Sequence, residues 1–220
     1  MFVKGLSIIV PLYKSKKHLL LHQSTISRVC EERCEIVFVD DCSPEEEHRW
    51  LQSLLDTEDN IKIIRLEKNI GQHKATALGI SQARFPQILT VDADMLGGLP
   101  NLVSMIHDLD LSTDELVYFI PKRTRSVIRT LLSNMLARTI RLRHPAFQQM
   151  ASLRLFSKSI LDFSNESMPC GILDFALLKT KKIIRFSPCD IDLDTSKTSY
   201  SVAKQVGLTF KIFSYVFFCR

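Results

Sequence analysis

The stretch Leu89-Thr90-Val91-Asp92-Ala93-Asp94 closes a short apolar run with two carboxylates one residue apart. On an extended strand, side chains at i and i+2 point the same way, so this spacing places Asp92 and Asp94 on one face at a strand end. Two hard oxygen donors suit Mg²⁺ or Mn²⁺, ions that proteins usually share with substrate phosphates. A lone D-x-D is also what a solvated acidic loop looks like. Its meaning here comes from the elements that must position it.

Those elements alternate along the first half of the chain. Leu6-Ser7-Ile8-Ile9-Val10, closed by Pro11, reads as a strand buried on both faces. Helical spacing follows over residues 16–30. Glu35-Ile36-Val37-Phe38-Val39 is a second buried strand, ending in Asp40-Asp41-Cys42-Ser43. Pro44 and three glutamates then open a helix, where the helix dipole favours acids. Ile61 to Leu66 is a third strand, Asn69-Ile70-Gly71-Gln72 its loop, 72–84 a helix, and Gln87 to Val91 a fourth strand. The order β-α-β-α-β-α-β predicts an α/β fold with a Rossmann-like, mostly parallel sheet flanked by helices. Ligands of such sheets bind at the carboxyl ends of the strands. Tyr13, Asp41, Asn69 to Gln72, Asp92 and Asp94 all fall there.

Four segments carry a resemblance: Ser7-Ile8-Ile9-Val10-Pro11-Leu12-Tyr13; Glu35 to Ser43; Asn69-Ile70-Gly71-Gln72 with Ala75 and Ala77; and Val91-Asp92-Ala93-Asp94. In this order and spacing they are similar to the family 2 inverting glycosyltransferases of GT-A fold. The likeness covers residues 6 to about 100 and thins toward the C-terminus. It looks most like the enzymes that move a sugar from a nucleotide to a polyprenyl phosphate at a membrane face. It implies a GT-A domain over residues 1–200 and a C-terminal apolar, amphipathic, membrane-facing segment over 201–220. Residue by residue, it implies that Pro11 and Tyr13 line the nucleobase pocket and that Asp41 accepts from base or ribose. Asn69, Gly71 and Gln72 approach base and ribose, with Gly71 allowing a close backbone. Asp92 holds ribose or supports the metal, and Asp94 binds it, with Mg²⁺ or Mn²⁺ as the cofactor. The logic is consistent, because charge grows on a nucleoside diphosphate as it leaves and a divalent cation stabilises that charge.

An acceptor site falls to the second half. Leu116 to Ile120 is another strand, followed by Arg123, Arg125, Arg129, Arg138, Arg141 and Arg143 around apolar residues at helical spacing. This basic amphipathic helix admits membrane contact, nucleic acid or plain solvation. The net charge of only +5, with no aromatic residues interleaved among the cations, argues against nucleic acid. The family likeness implies that Arg123 or Arg129 grips the acceptor phosphate. The segment Gln148 to Ser157 resembles a family strand preceded by an Asp, but this chain has Gln148 and Gln149 there. Three readings stay open. A phosphate acceptor is already ionised and needs no general base; Asp174, in Gly171-Ile172-Leu173-Asp174, is the base for a hydroxyl acceptor; or the chain is a degenerate, non-catalytic nucleotide binder. The hydroxyl alternative would serve a glycan acceptor in cell-envelope polysaccharide synthesis. A nucleotidyltransferase is disfavoured, because Pro11-Leu12-Tyr13-Lys14-Ser15 is no glycine-rich phosphate loop.

Plainer readings hold for several groups. Asp40 points away from Asp41 on a strand and reads as structural. His73 reads as a solvated or capping residue and Lys74 as part of a solvated helix face. Asp190, Asp192 and Asp194 read as a solvated acidic loop. The apolar run 206–219 is shorter than the ~20 residues of a spanning helix and carries Lys211. It reads as an interfacial helix or the first piece of a membrane segment. The 220 residues suit one core. Residues 1–15 have no sustained apolar stretch of the signal-peptide kind. Six cysteines without a C-x-x-C pair suggest a reducing compartment. The expectation is a cytoplasmic protein peripheral to the inner face of the cell membrane.

Overall fold

The computed structural model describes residues 5–29, 34–55, 60–107, 109, 115–121, 134–135, 137–142, 144–145, 147–148, 151–161, 172–178 and 183–189. The strands are β1 (Leu6–Leu12), β2 (Cys34–Asp40), β3 (Ile61–Arg65), β4 (Gln87–Thr90), β5 (Glu115–Pro121), β6 (Arg154–Ser157) and β7 (Ile183–Cys189). The helices are α1 (Lys16–Leu21), α2 (Gln23–Val29), α3 (Glu45–Leu55), α4 (Gln72–Ser81), α5 (Leu99–His107) and α6 (Leu173–Leu178). A 3₁₀ turn, Ala93–Gly98, links β4 to α5.

The strands form one sheet in the order β3-β2-β1-β4-β6-β5-β7. β1, β2, β3 and β4 run parallel, while β6 runs antiparallel to both β4 and β5. Side chains alternate between two cores, as the two-residue period of a strand requires. Leu6, Ile8, Val10, Ile36 and Phe38 face a core filled from α1, α2, α3 and α5 by Leu19, Ile26, Leu51 and Leu102. Ile9, Val37, Val39, Leu116 and Tyr118 face the other core, filled from α4 and α6 by Ala75, Ile80, Leu173, Phe175 and Leu177. α4 lies so close to the sheet that a Cβ on Gly79 would stand 2.5 Å from Ile9 Cγ2 and 2.8 Å from Val39 Cγ2.

Two differences from the expected elements bear on the site. The helix expected over 16–30 is two helices that bend at His22, so that Leu19, Ile26 and Val29 all reach one core. β4 stops at Thr90, not Val91. Asp92 and Asp94 therefore do not share the face of an extended strand. Asp92 is the extended N-cap of the 3₁₀ turn (φ −79°, ψ 150°), Asp94 lies in the turn's first residues, and Met95 N–H bonds Asp92 O at 3.0 Å. Of the basic amphipathic segment, residues 137–141 are helical, with Ala137 and Ile140 buried in the second core. The segment 201–220 lies outside the described residues. Among the described residues, no helix is long and apolar enough to cross a membrane.

Candidate active site

The chain order makes β1 a switch point: β2 and β3 lie on one side of it and β4 on the other. The crevice at such a point, beyond the carboxyl ends of the strands, is where this architecture receives ligands. Each loop there is held by a specific bond. After β1, Lys14 takes a left-handed conformation (φ 53°), and its N–H bonds Ser43 Oγ at 3.1 Å. That contact ties the β1 loop to the β2 loop. Tyr13 is 48% exposed, with Lys14 Nζ 5.3 Å from its ring centroid. Pro11 is half-buried opposite Val39.

At the end of β2 the two aspartates divide the work. Asp40 is fully buried; its Oδ1 accepts Ser43 N–H at 2.9 Å, and His48 Nδ1 lies 2.9 Å from its Oδ2. These are structural bonds that close the turn into α3. Asp41, also buried, aims across the crevice. It accepts Ile70 N–H at 2.7 Å on Oδ1 and Gly71 N–H at 2.9 Å on Oδ2, and Asn69 Nδ2 donates to its main-chain oxygen at 3.1 Å. The carboxylate thus shapes the Asn69–Gly71 loop. Gly71 sits at φ 89°, ψ 150°, with nothing within 4 Å of the place a Cβ would occupy. Its backbone is open to close approach. Gln72 then opens α4 and donates through Nε2 to Asp92 Oδ1 at 2.5 Å. The bonds link Asp41, Asn69, Gly71, Gln72 and Asp92 into one edge.

Asp92 and Asp94 are both half-buried. Among the described residues, no group of three or more His, Cys, Asp or Glu side chains is placed to hold a metal ion. An ion at this turn would draw its remaining oxygens from water and a diphosphate. That suits a hard divalent cation, which commonly binds through one or two carboxylates plus substrate phosphates.

Asp174 stands apart from this edge. It is 0% exposed on α6, and it receives Arg154 Nε at 2.9 Å and Arg154 Nη2 at 2.7 Å. Tyr118 Oη donates to its Oδ1 at 3.0 Å. Burial alone would raise the carboxyl's pKa, but the Arg154 charge and its bonds outweigh burial and hold it below the usual aspartate range. Burial and the neighbouring carboxylate push the Tyr118 phenol well above its ordinary value. Sequence reasoning singled out Asp174 but not its partners Arg154 and Tyr118. The available signal was a charge inside the apolar run Leu153-Arg154-Leu155-Phe156, since a buried cation needs a counter-ion. Arg123 and Arg129 lie outside the described residues.

A model of glycosyl transferase family 2 matches residues 7–163. The chain belongs to glycosyl transferase family 2. An undecaprenyl-phosphate 4-deoxy-4-formamido-L-arabinose transferase of Pseudomonas fluorescens is 29% identical to this family 2 chain over 116 residues, 51% of this chain and 34% of that protein. Among solved structures, a glucosyl-3-phosphoglycerate synthase from Mycobacterium tuberculosis, in complex with Mn²⁺, UDP and phosphoglyceric acid, superposes with a TM-score of 0.66. The sequences are 12% identical, covering 98% of this chain and 79% of that one. A mannosyltransferase from Pyrobaculum calidifontis, in complex with GDP-Man and Mn²⁺, superposes with a TM-score of 0.64 at 15% identity, covering 98% and 69%. At these identities the likeness is one of fold, and the fold is GT-A. The aligned part of this chain spans 30% to 43% of the length of the curated relatives it matches.

Proposed function

We propose that this family 2 chain transfers a glycosyl unit from a nucleoside diphosphate sugar to a polyprenyl phosphate, with inversion, at the cytoplasmic face of a membrane to which it binds peripherally. The observation that carries the donor side is the linked edge from Asp41 through Gly71 and Gln72 to Asp92. Pro11 and Tyr13 would flank the nucleobase. The Asn69–Gly71 loop, held by Asp41, would lie along base and ribose, and Asp92 and Asp94 would face the diphosphate. Asp94 would hold Mg²⁺ or Mn²⁺. When bound, that cation supplies positive charge beside the leaving diphosphate.

In the reaction, an acceptor phosphate oxygen attacks the anomeric carbon. The bond from that carbon to the diphosphate oxygen breaks, and its electron pair leaves with the nucleoside diphosphate. The acceptor is already an anion, so no proton has to be removed. This suits a chain with Gln148 and Gln149 in place of an acid and with both Asp174 oxygens engaged by Arg154. Arg123 and Arg129 are proposed to hold the acceptor phosphate. The polyprenyl acceptor rests on the names of the relatives, and the transferase chemistry rests on the family.

The test is calorimetric titration with UDP, GDP and dTDP, each with Mn²⁺ and with EDTA, followed by product analysis with a polyprenyl phosphate acceptor. Mn²⁺-dependent binding of one nucleotide and a sugar-phosphate-lipid product are expected. Failure of all three nucleotides to bind would overturn the donor reading. Transfer to a sugar hydroxyl alone would overturn the acceptor reading and call for a general base.

A further inference from the structure

The antiparallel run of β6 brings Arg154, its first residue, to the edge where β4 ends. Thr90, Arg154 and Tyr118 are register partners across β4, β6 and β5, and all three side chains are buried. They form a polar row on the face covered by α4 and α6, and Asp174 of α6 closes it. The bonds are directional. Arg154 Nη1 donates to Thr90 Oγ1 at 3.3 Å and to Ser152 O at 3.1 Å, and Thr90 Oγ1 donates to Ser152 O at 2.6 Å. Ser152 Oγ in turn reaches Met95 Sδ at 3.9 Å, inside the turn that carries Asp94.

We infer that the row Thr90–Arg154–Tyr118, closed by Asp174, positions the Asp92–Asp94 turn by fixing the carboxyl end of β4. Thr90 is the last residue of that strand, two before Asp92. In this assignment Asp174 is a positioning residue, because its oxygens are filled by Arg154 and Tyr118. The row also lies within electrostatic reach of the site: Asp92 strengthens the hold of Arg154 on its proton, and His73 favours the ionised form of Asp174. Buried ion pairs are often no more stabilising than apolar side chains of the same volume. Whatever its net effect on stability, this one fixes geometry at the strand end. The consequence for ligand binding rests on the donor reading above, but the effect on the turn does not.

The test compares Thr90→Val, which keeps the shape and removes the hydroxyl, with Thr90→Ser, which keeps the hydroxyl. Two readouts are taken: amide hydrogen exchange at Val91 and Met95, and Mn²⁺-dependent nucleotide affinity by calorimetry. Thr90→Val should speed exchange at both amides and weaken affinity about 10- to 100-fold, the range for groups that support a metal ligand from behind. Thr90→Ser should match the unaltered protein in both. Unchanged exchange in Thr90→Val overturns the inference. Faster exchange in a protein that binds no nucleotide would uphold the positioning of the turn and overturn only the donor reading. If Thr90→Val does not fold, the pair Arg154→Met with Asp174→Leu replaces both charges by apolar groups and is read in the same two ways.

Discussion

Replacing Gly71 with alanine separates backbone strain from steric clash. Gly71 sits at φ 89°, ψ 150°, and a methyl group added there meets nothing within 4 Å. The penalty is therefore conformational, roughly 1–3 kcal/mol for a side chain forced into a region that glycine alone uses freely. The loop can escape only by leaving Asp41 and giving up the N–H bonds of Ile70 and Gly71, at 2.7 and 2.9 Å. Hydrogen bonds to a charged group contribute about 1.5–3 kcal/mol each, so release costs about 3–6 kcal/mol. Strain is the smaller number, so the loop stays hooked and the strain is expressed as lost stability. At about 2–4 °C per kcal/mol for a chain of this size, Gly71→Ala should lower Tm by about 2–12 °C. Asp41→Asn weakens the hook by removing the charge. In that background the loop releases first, and Gly71→Ala should lower Tm by less. Scanning calorimetry on the four proteins of this cycle measures the coupling, expected at about 0.5–3 kcal/mol for residues in one network. A wild-type Tm for Gly71→Ala, or strictly additive effects, would refute the assignment of strain and hook to this loop.

Asp94→Ala should abolish the Mn²⁺ dependence of nucleotide binding in the titration above, and an unchanged metal-dependent affinity would remove Asp94 from the metal site. Gly79→Ala should act through packing, since its Cβ would lie 2.5 Å from Ile9 Cγ2. A loss of about 1–3 kcal/mol in urea unfolding is expected, with nucleotide affinity of the folded fraction unchanged. Asp174 gives a pH test. Its folded pKa lies below the unfolded value of about 3.9, so its contribution to stability is complete above that value and is lost as pH falls through the folded one. Urea unfolding between pH 7 and pH 3 should show the Arg154→Met, Asp174→Leu pair losing less stability at the acid end than the natural protein. Parallel curves would show that Asp174 is not held ionised by folding.

The parallel half of the fold is legible because its inner strands β1 and β2 are buried on both faces. Runs such as Leu6 to Val10 and Glu35 to Val39 leave only one reading, and the polar residues that end them mark the ligand edge. What the sequence hides is pairing across distance. Nothing local says that Asp41 bonds the amides of residues 70 and 71, which lie about thirty positions away. The two-residue period also misleads at Asp92 and Asp94, because it assumes a strand that in fact ends at Thr90. There the Thr90 hydroxyl bonds Arg154 and Ser152 O, and the chain coils into a 3₁₀ turn. The antiparallel entry of β6 is a topological fact with no local signature, so the neighbours of Arg154 could not be read from its own segment.

Five aspartates stand at or near this edge, and what fills their oxygens sorts their roles better than their positions do. Asp40 is filled by a main-chain N–H and His48, and Asp174 by a guanidinium and a phenol; both are fully buried. Carboxylates so engaged have little left to offer a substrate, and removing them would act through shape. Asp41 is intermediate: its oxygens hold two loop amides, so it can serve a nucleotide through the loop it orders. Asp92 accepts from Gln72 Nε2, and it and Asp94 are half-buried on a turn at the crevice. On the proposed donor reading, a diphosphate beside these two acids is repelled by like charge, so that reading calls for a cation between them and the ligand. The same residue type thus holds the fold in three places and, on the proposed donor reading, faces the ligand in two. Substitution by asparagine should separate the groups: altered stability or loop order at Asp40, Asp41 and Asp174, and lost metal dependence at Asp92 and Asp94 with the fold intact.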